Sequence, residues 1–391
     1  MFAGALAVLL ITLGLGQLVS TYLRLRGVSL TGSSRFVGYS LALLLLTVGG
    51  LILPGDWTTL WLVPLAGVLT VLLLLWGGSV IAPPPDPNRL FRPGHSAHAD
   101  CQRVEIPDGE HLMPGFLLYP PDPPALLGTT KNPRSEDPAD RQARKLGPTV
   151  LIVPGAGDTK ISFKWRLVEA LLAAGLTVLT IDPPGHGDYR RRPMAFPDCL
   201  SAIPAAIAFL QGQPGLTHIG LLGISLGGAL TLRSLAAMVA KTSQSNSPVA
   251  ALVVIATPTH LNYSRYLFYQ ELWSTIFGGP SLSLLREMSF KQVRQSWYTG
   301  GYRSRHTTTE LITRLNPLKS IEKLAGIPTL LVYSRRDRVS PPSMAVAMQR
   351  AAPWATEINS RQASHVMLTL IPEINRQIAG WLKAQLHVSN G

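Results

Sequence analysis

Residues 219–228 read Ile-Gly-Leu-Leu-Gly-Ile-Ser-Leu-Gly-Gly, and this stretch decides how the rest of the chain is interpreted. It begins as a short apolar run, and residues 226–239 follow with helical spacing and few helix breakers. Gly223 and Gly227 allow a sharp turn from strand to helix, with Ser225 held at the turn in a strained conformation. The helix N-terminus would favour negative charge that develops beside the serine hydroxyl. The stretch therefore predicts a strand, a turn that exposes Ser225, and a helix.

From residue 149 onward, short apolar runs alternate with helical stretches. Near-continuous apolar strands separated by helices are typical of a parallel sheet covered on both faces. Right-handed crossovers then give a doubly wound, mostly parallel α/β sheet. The predicted strands are residues 150–153, 177–181, 219–222, 251–255 and 329–333. The predicted helices are residues 165–174, 200–210, 226–239, 343–351 and 373–385. Ahead of them, Asp108-Gly109 within residues 103–119 predicts a β-hairpin.

Two further residues complete a candidate catalytic group with Ser225. A serine hydroxyl is a weak nucleophile and needs a general base, which a carboxylate in turn orients. Asp337 follows the predicted strand 329–333, and His365 lies shortly before the final helix. Both fall in loops at the carboxyl ends of strands, the sheet edge at which Ser225 also lies. This order predicts that His365 takes the serine proton and that Asp337 holds the imidazole.

An oxyanion formed during acyl transfer needs two preorganised backbone N–H groups. Leu226, directly after the serine, predicts the first donor. The loop at residues 153–158 reads Val-Pro-Gly-Ala-Gly-Asp and follows the first predicted parallel strand. The N–H of Ala156 is predicted to be the second donor, because Gly155 and Gly157 permit a close approach of the backbone.

Residues 103–391 resemble the α/β-hydrolase family, in particular its lysophospholipase-like and serine-peptidase-like members with a helical cap. The resemblance rests on residues 223–227, on the turn Asp-Pro-Pro-Gly-His-Gly-Asp at 182–188, and on the surroundings of Asp337 and His365. It implies a serine hydrolase in which these two residues and the serine form the catalytic triad.

The resemblance also bears on a competing base, two departures and an insertion. His186 could serve as a base, but the family pattern gives it a structural role. Pro154 stands where many members have histidine, and Pro184 replaces a common arginine, which weakens assignment to a subfamily.

Residues 260–323, rich in aromatic and basic side chains, would form the cap. Its aromatic residues either make the cap's own core or line an apolar substrate entrance rimmed by positive charge, and the two are compatible.

The first 80 residues form a separate region with three uncharged apolar runs. Each run has 17 or 18 residues, at the lower end of what crosses ~30 Å of hydrocarbon at about 1.5 Å per residue. The runs at 2–19, 37–53 and 60–76 predict three transmembrane helices in a membrane region 1–80, followed by a proline-rich linker 81–102. Buried core helices are the alternative. The arginines around the runs favour an outside N-terminus and a cytoplasmic hydrolase domain.

Composition limits the partners. Thirty-five Lys and Arg against 22 Asp and Glu give a net charge of +13. No basic block interleaved with stacking aromatics marks a nucleic-acid module, so anionic lipid headgroups are favoured over nucleic acid. The two cysteines, Cys101 and Cys199, fit a reducing compartment. No metal-ligand cluster or dinucleotide-binding glycine pattern occurs in the sequence, so no cofactor and no metal are expected.

Together these features predict a membrane-anchored, multi-pass serine hydrolase. It would cleave a carboxylic ester of a small molecule or a lipid through an acyl-enzyme on Ser225. An amide or peptide hydrolase and an acyltransferase remain alternatives with the same triad. A non-catalytic membrane scaffold is a further alternative, against which the intact triad argues. The oligomeric state is left open.

Overall fold

The computed structural model describes residues 2–22, 35–52, 100–121, 145–161, 164–241, 247–261, 266–267, 270–271, 302–361 and 363–387. The chain divides into two units, residues 1–86 with 282–293 and residues 87–281 with 294–391, and each is described by itself. The described α-helices are α1 (Phe2–Tyr22), α2 (Arg35–Ile52), α3 (Trp165–Ala173), α4 (Ala202–Gln211), α5 (Leu226–Val239), α6 (Thr308–Leu315), α7 (Pro317–Ile321), α8 (Pro342–Ala351) and α9 (Pro372–His387). The described strands are β1 (Asp100–Asp108), β2 (His111–Tyr119), β3 (Gly147–Val153), β4 (Thr177–Ile181), β5 (Leu216–Ile224), β6 (Ala251–Ile255), β7 (Thr329–Ser334) and β8 (Thr356–Ser360).

In the first unit, α1 and α2 pack closely through small residues. A Cβ atom added to Gly14 would lie 2.9 Å from Leu46, and one added to Gly49 would lie 2.7 Å from Ile11. Both glycines therefore let the two helices approach each other.

The prediction of membrane spans is not supported by the described part of the chain. None of the helices there has the length and apolar character that crossing a bilayer requires. An apolar run in a sequence does not tell whether its residues face lipid or another helix. Gly14 and Gly49 face the neighbouring helix. The third predicted span, residues 60–76, lies outside the described residues, as does most of the predicted linker.

The second unit contains an eight-stranded sheet with the order β1-β2-β4-β3-β5-β6-β7-β8. The hairpin β1–β2 is antiparallel and turns at Gly109, whose φ of 64° is costly for residues with a Cβ. β2 pairs antiparallel with β4, and the strands from β4 to β8 pair parallel. The predicted hairpin and the mostly parallel sheet are confirmed.

Helices cover both faces of this sheet, as near-continuous apolar strands require. On one face, Leu151 and Val153 of β3 join a buried core with α4, α5, α6 and α7. On the other face, α9 lies so close to β5 that a Cβ at Gly220 would be 3.1 Å from Leu382. α9 also packs against α3. The sheet is thus buried between two helical layers, and its carboxyl edge is left for loops.

Part of the predicted cap range contributes to this core. Thr307 begins α6 with a capping box, in which its hydroxyl accepts from the Glu310 N–H. α6 and α7 then bury Leu311 and Ile321 against α5. Residues 272–301 of the predicted cap lie outside the described residues.

Candidate active site

The turn at Ser225 joins β5 directly to α5. Ser225 has φ 52° and ψ −120°, a strained backbone conformation for a residue with a Cβ. Its N–H donates to the Ile255 carbonyl oxygen at 2.8 Å, which fixes the turn to the neighbouring strand β6. A Cβ at Gly227 would lie 2.2 Å from the Pro154 oxygen, and one at Gly223 would lie 2.6 Å from the Gly228 Cα. Close backbone contacts therefore require both glycines that flank the serine.

The structure brings the three predicted side chains into one hydrogen-bonded chain. The Ser225 Oγ lies 2.9 Å from the His365 Nε2, and the His365 Nδ1 lies 2.8 Å from the Asp337 Oδ2. Because a carboxylate only accepts hydrogen bonds, Nδ1 carries the proton and Nε2 is free to accept from the serine hydroxyl. The imidazole is therefore oriented to take a proton from Ser225.

Asp337 is held rigidly in the loop after β7. Its Oδ1 accepts from the N–H groups of Val339 at 2.8 Å and Ser340 at 2.7 Å. The Ser340 hydroxyl donates in turn to the Ala256 carbonyl oxygen at 2.7 Å. The Asp337 side chain is fully buried, so these bonds replace the water that an ionised carboxylate would otherwise bind. The other oxygen is left to face His365.

The electrostatic surroundings favour the protonated form of His365. Burial opposes a charge on the imidazole, but the charge of Asp337 and its hydrogen bond outweigh burial, and the charge of Glu271 adds to them. The pKa of His365 is consequently raised above 6.5. A base whose conjugate acid is stabilised in this way is suited to take the serine proton during a reaction.

The two predicted oxyanion donors lie on the two elements that flank the serine. Leu226 is the first residue of α5, directly after Ser225. Gly155, after β3, packs against the serine so closely that an added Cβ would lie 3.1 Å from the Ser225 Cβ. Ala156 follows it at an exposed position, and the Asp158 N–H closes the turn on the Gly155 oxygen at 3.1 Å. The backbone of both elements is thus adjacent to the serine, and the two oxyanion donors stay a prediction.

A buried network of charged side chains, which the sequence analysis missed, anchors the loop after β3. The Lys164 Nζ lies 2.7 Å from the Asp158 Oδ2 and also donates to the Thr159 oxygen. The Lys160 Nζ lies 2.6 Å from the Asp182 Oδ2. Burial raises the pKa of Asp158 to about 6, against the opposing charge of Lys164. The only sequence signal would have been two lysines four residues apart in a segment that flanks a glycine-rich loop.

His186 lies in the turn after β4 and makes its contacts there. Its ring is buried and stacks on Tyr302, with centroids 4.8 Å apart. Its Nδ1 lies 3.0 Å from the Pro184 oxygen, and burial lowers its pKa to about 4. The base that faces Ser225 is His365.

Glu271, in the insertion after β6, is another residue that the sequence analysis missed. Its Oε1 accepts from the His365 N–H at 2.5 Å, and its Oε2 accepts from the Arg338 N–H at 3.2 Å. The side chain is buried, and burial raises its pKa. Its aromatic-rich sequence context gives no signal for such a role.

The described residues contain no group of three or more His, Cys, Asp or Glu side chains placed to hold a metal ion. Cys101 and Cys199 are both buried and reduced. The hydrogen-bonded group of Ser225, His365 and Asp337 can support proton transfer and nucleophilic attack.

Comparisons with known proteins agree with this arrangement. Residues 150–372 match the model of the alpha/beta hydrolase family. A bromoperoxidase from Bacillus anthracis superposes with a TM-score of 0.51 at 18% identity, over 72% of this chain and 100% of that one. The 2,6-dihydroxy-pseudo-oxynicotine hydrolase superposes with a TM-score of 0.50 at 18% identity, over 90% of this chain and 84% of that one. None of the curated proteins compared with the chain matches its sequence. The family match spans more than half of the chain and contains all three residues of the hydrogen-bonded group, and the chain belongs to the alpha/beta hydrolase family.

Proposed function

We propose that this protein is a serine hydrolase that cleaves a carboxylic ester through an acyl-enzyme on Ser225. The observation that carries the proposal is the hydrogen-bonded chain from Ser225 to His365, at 2.9 Å, and on to Asp337, at 2.8 Å. A nucleophile, a base and an acid that orients the base are the three groups that acyl transfer requires.

In the first half of the reaction, the Ser225 Oγ attacks the ester carbonyl carbon while His365 Nε2 takes the hydroxyl proton. The new C–O bond places negative charge on the former carbonyl oxygen, and the N–H groups of Leu226 and Ala156 stabilise it. Asp337 stabilises the imidazolium through the Nδ1 proton. The imidazolium then gives its proton to the leaving alkoxide, the C–O bond of the ester breaks, and an alcohol departs.

In the second half, water replaces the alcohol. His365 takes a proton from the water, whose oxygen attacks the acyl carbon of the Ser225 ester. The same N–H groups hold the second oxyanion. The bond to the Ser225 Oγ then breaks, the serine recovers its proton from His365, and a carboxylic acid leaves.

The substrate class is tested with a nitrophenyl ester and a nitroanilide that share one acyl group. Turnover of a nitrophenyl ester should greatly exceed turnover of the corresponding nitroanilide. Equal or faster cleavage of the anilide would replace the ester assignment with an amide or peptide hydrolase. Ester formation with an added alcohol in preference to hydrolysis would replace it with an acyltransferase.

We place the substrate among acyl or lipid esters, and the chain at a membrane. Exposed leucines of the helical N-terminal unit favour an apolar environment: Leu43 is 67% exposed, Leu44 59% and Leu9 53%. Trp273 and Trp297, from the predicted cap, lie outside the described residues. The full chain should remain in the membrane fraction after an alkaline carbonate wash. A reporter that works only in the cytoplasm should be active when it is fused after Gly391. Release by the wash would contradict the membrane assignment and leave the hydrolase assignment untouched.

A further inference from the structure

Glu271 joins the two loops that carry the base and the acid of the candidate active site. Its carboxyl group binds the backbone N–H of His365 with one oxygen, at 2.5 Å, and the N–H of Arg338 with the other, at 3.2 Å. Arg338 directly follows Asp337 in the chain. One buried carboxyl group thus fixes the base itself and the neighbour of the acid.

The other bonds of these loops fasten them to the sheet. The Ser340 hydroxyl ties the Asp337 loop to the Ala256 oxygen at 2.7 Å, and the Ser334 hydroxyl of β7 donates to the Ala363 oxygen of the His365 loop at 2.5 Å. Glu271 differs from these anchors because it comes from the insertion after β6 and has an ionisable carboxyl group. Its two hydrogen bonds join one loop to the other.

We propose that Glu271 is a positioning residue that holds His365 against Asp337 and supports the positive charge of the imidazolium during the reaction. The proposal rests on the proposed function of Ser225, His365 and Asp337, and it adds a fourth group to them. Glu271 binds the backbone of His365 rather than the substrate, so it acts through His365.

The charges around Glu271 explain why its own charge matters. Among the residues that the structure describes, the charged or titratable groups that act on it are His365 and Asp337, and the Arg338 side chain is exposed. Burial raises the pKa of Glu271, Asp337 raises it further, and His365 lowers it. Protonation of His365 therefore favours the ionised form of Glu271. By the reciprocity of linked equilibria, ionised Glu271 favours protonated His365.

This coupling fits the needs of the proposed reaction. His365 is neutral before attack and positively charged while the oxyanion exists. Asp337 meets that charge at Nδ1, and the buried carboxyl group of Glu271 meets it at the backbone N–H of His365. A charge in such surroundings acts more strongly than it does in water.

A carboxyl group that only satisfies two buried N–H groups would also explain the hydrogen bonds. The two roles differ in what removal of the charge alone would do. Glu271→Gln keeps the size of the side chain and one oxygen acceptor but removes the charge. Glu271→Asp keeps the charge and shortens its reach. Glu373→Gln is the matched control, because Glu373 is exposed on α9 and binds Arg376 and Gln377 on its own helix.

The test measures the pKa of His365 directly, by NMR of protein labelled at the histidine Cε1, with the signal assigned through His365→Gln. Glu271→Gln should lower the pKa of His365 by about one unit and reduce kcat about tenfold with KM little changed. The acid limb of the kcat profile should move to lower pH by the same shift. Glu271→Asp should retain the higher pKa of His365, and Glu373→Gln should resemble the wild type in every respect.

A lower melting temperature of Glu271→Gln with the pKa of His365 and kcat unchanged would overturn the proposal and leave a purely structural glutamate. If Glu271→Gln does not fold, Glu271→Asp decides, because a loss of the raised His365 pKa in that charged variant would equally overturn it. Failure of the proposed function gives a different result, since the wild type itself would then lack turnover and labelling at Ser225.

Discussion

Gly155 packs directly against Ser225. A Cβ atom at position 155 would lie 3.1 Å from the Ser225 Cβ and 3.8 Å from its Oγ. The loop after β3 therefore runs close to the serine, and we expect this closeness to bring the N–H of Ala156 within reach of an oxyanion that forms there. The oxyanion site in the proposed mechanism depends on that contact.

Replacing Gly155 by alanine should reduce kcat without unfolding the protein. The new methyl group would push the loop by a few tenths of an ångström and displace the Ala156 N–H from the oxyanion. Complete loss of one such donor costs about 10²–10³ in kcat, so we expect a fall of at least tenfold, within that limit. Gly380→Ala is the matched control, because an added Cβ there meets nothing within 4 Å. Equal kcat values for the two variants would contradict this account of the loop.

The pH dependence of kcat/KM should follow the titration of His365. The imidazole must be neutral to act as a base, and Asp337 and Glu271 raise its pKa above 6.5 despite burial. Activity should therefore rise with pH along a limb whose midpoint lies above 6.5. A midpoint below 6.5 in the wild type would rule out this electrostatic description.

Asp337→Asn should lower kcat by about 10⁴-fold, since the amide no longer fixes the Nδ1–H tautomer.

Removing one partner of the buried pair Asp158–Lys164 should lower the stability of the protein. Lys164→Met leaves the Asp158 carboxylate buried without its cation, which typically destabilises a protein by about 3–5 kcal/mol. The pKa of Asp158, already raised to about 6 by burial, would rise further without Lys164. A raised carboxyl pKa disfavours folding most above that pKa, so the loss should be greater at pH 7 than at pH 5. Urea midpoints at the two pH values measure it, and Asp158→Asn/Lys164→Met should recover much of the loss. A single variant as stable as the double one would count against the prediction.

His186 should make the fold sensitive to mild acid. Its pKa is about 4 in the folded protein because burial disfavours the charge, against about 6.5 in an unfolded chain. A depressed pKa gives stability that is fully present above pH 6.5 and is lost as the pH falls towards 4. The difference corresponds to about 3 kcal/mol. His186→Phe keeps a ring on Tyr302 and should flatten the stability curve between these pH values. His387→Phe, at an exposed site in α9, should leave the curve unchanged, and an unchanged curve for His186→Phe would be the contrary result.

The sheet and the candidate triad could be predicted because their signals are local. Fully buried parallel strands read as continuous apolar runs, and the turn at Ser225 needs glycine on both sides for reasons of space alone. β8 gave no such signal. Its sequence, Thr-Glu-Ile-Asn-Ser at 356–360, is polar because this strand lies at the sheet edge and is half exposed.

The residues that the sequence did not reveal act through contacts between distant parts of the chain. Glu271 reaches His365 across 94 positions, and Lys160 reaches Asp182 across 22. Neither spacing has a local pattern. The described helices do not support the predicted membrane spans for a related reason, because the hydropathy of a run does not show which neighbours its residues meet.

Covalent labelling tests whether Ser225 is the nucleophile. A fluorophosphonate reacts with an activated serine hydroxyl, and peptide mass spectrometry locates the adduct. The account predicts one adduct, on the peptide that contains Ser225, with labelling lost in Ser225→Ala and strongly slowed in His365→Ala. Ser340→Ala serves as the control for loss of a different serine near the site, and it should still be labelled at Ser225. Labelling of Ser225→Ala to the same extent as the wild type, or an adduct at another residue, would contradict the account.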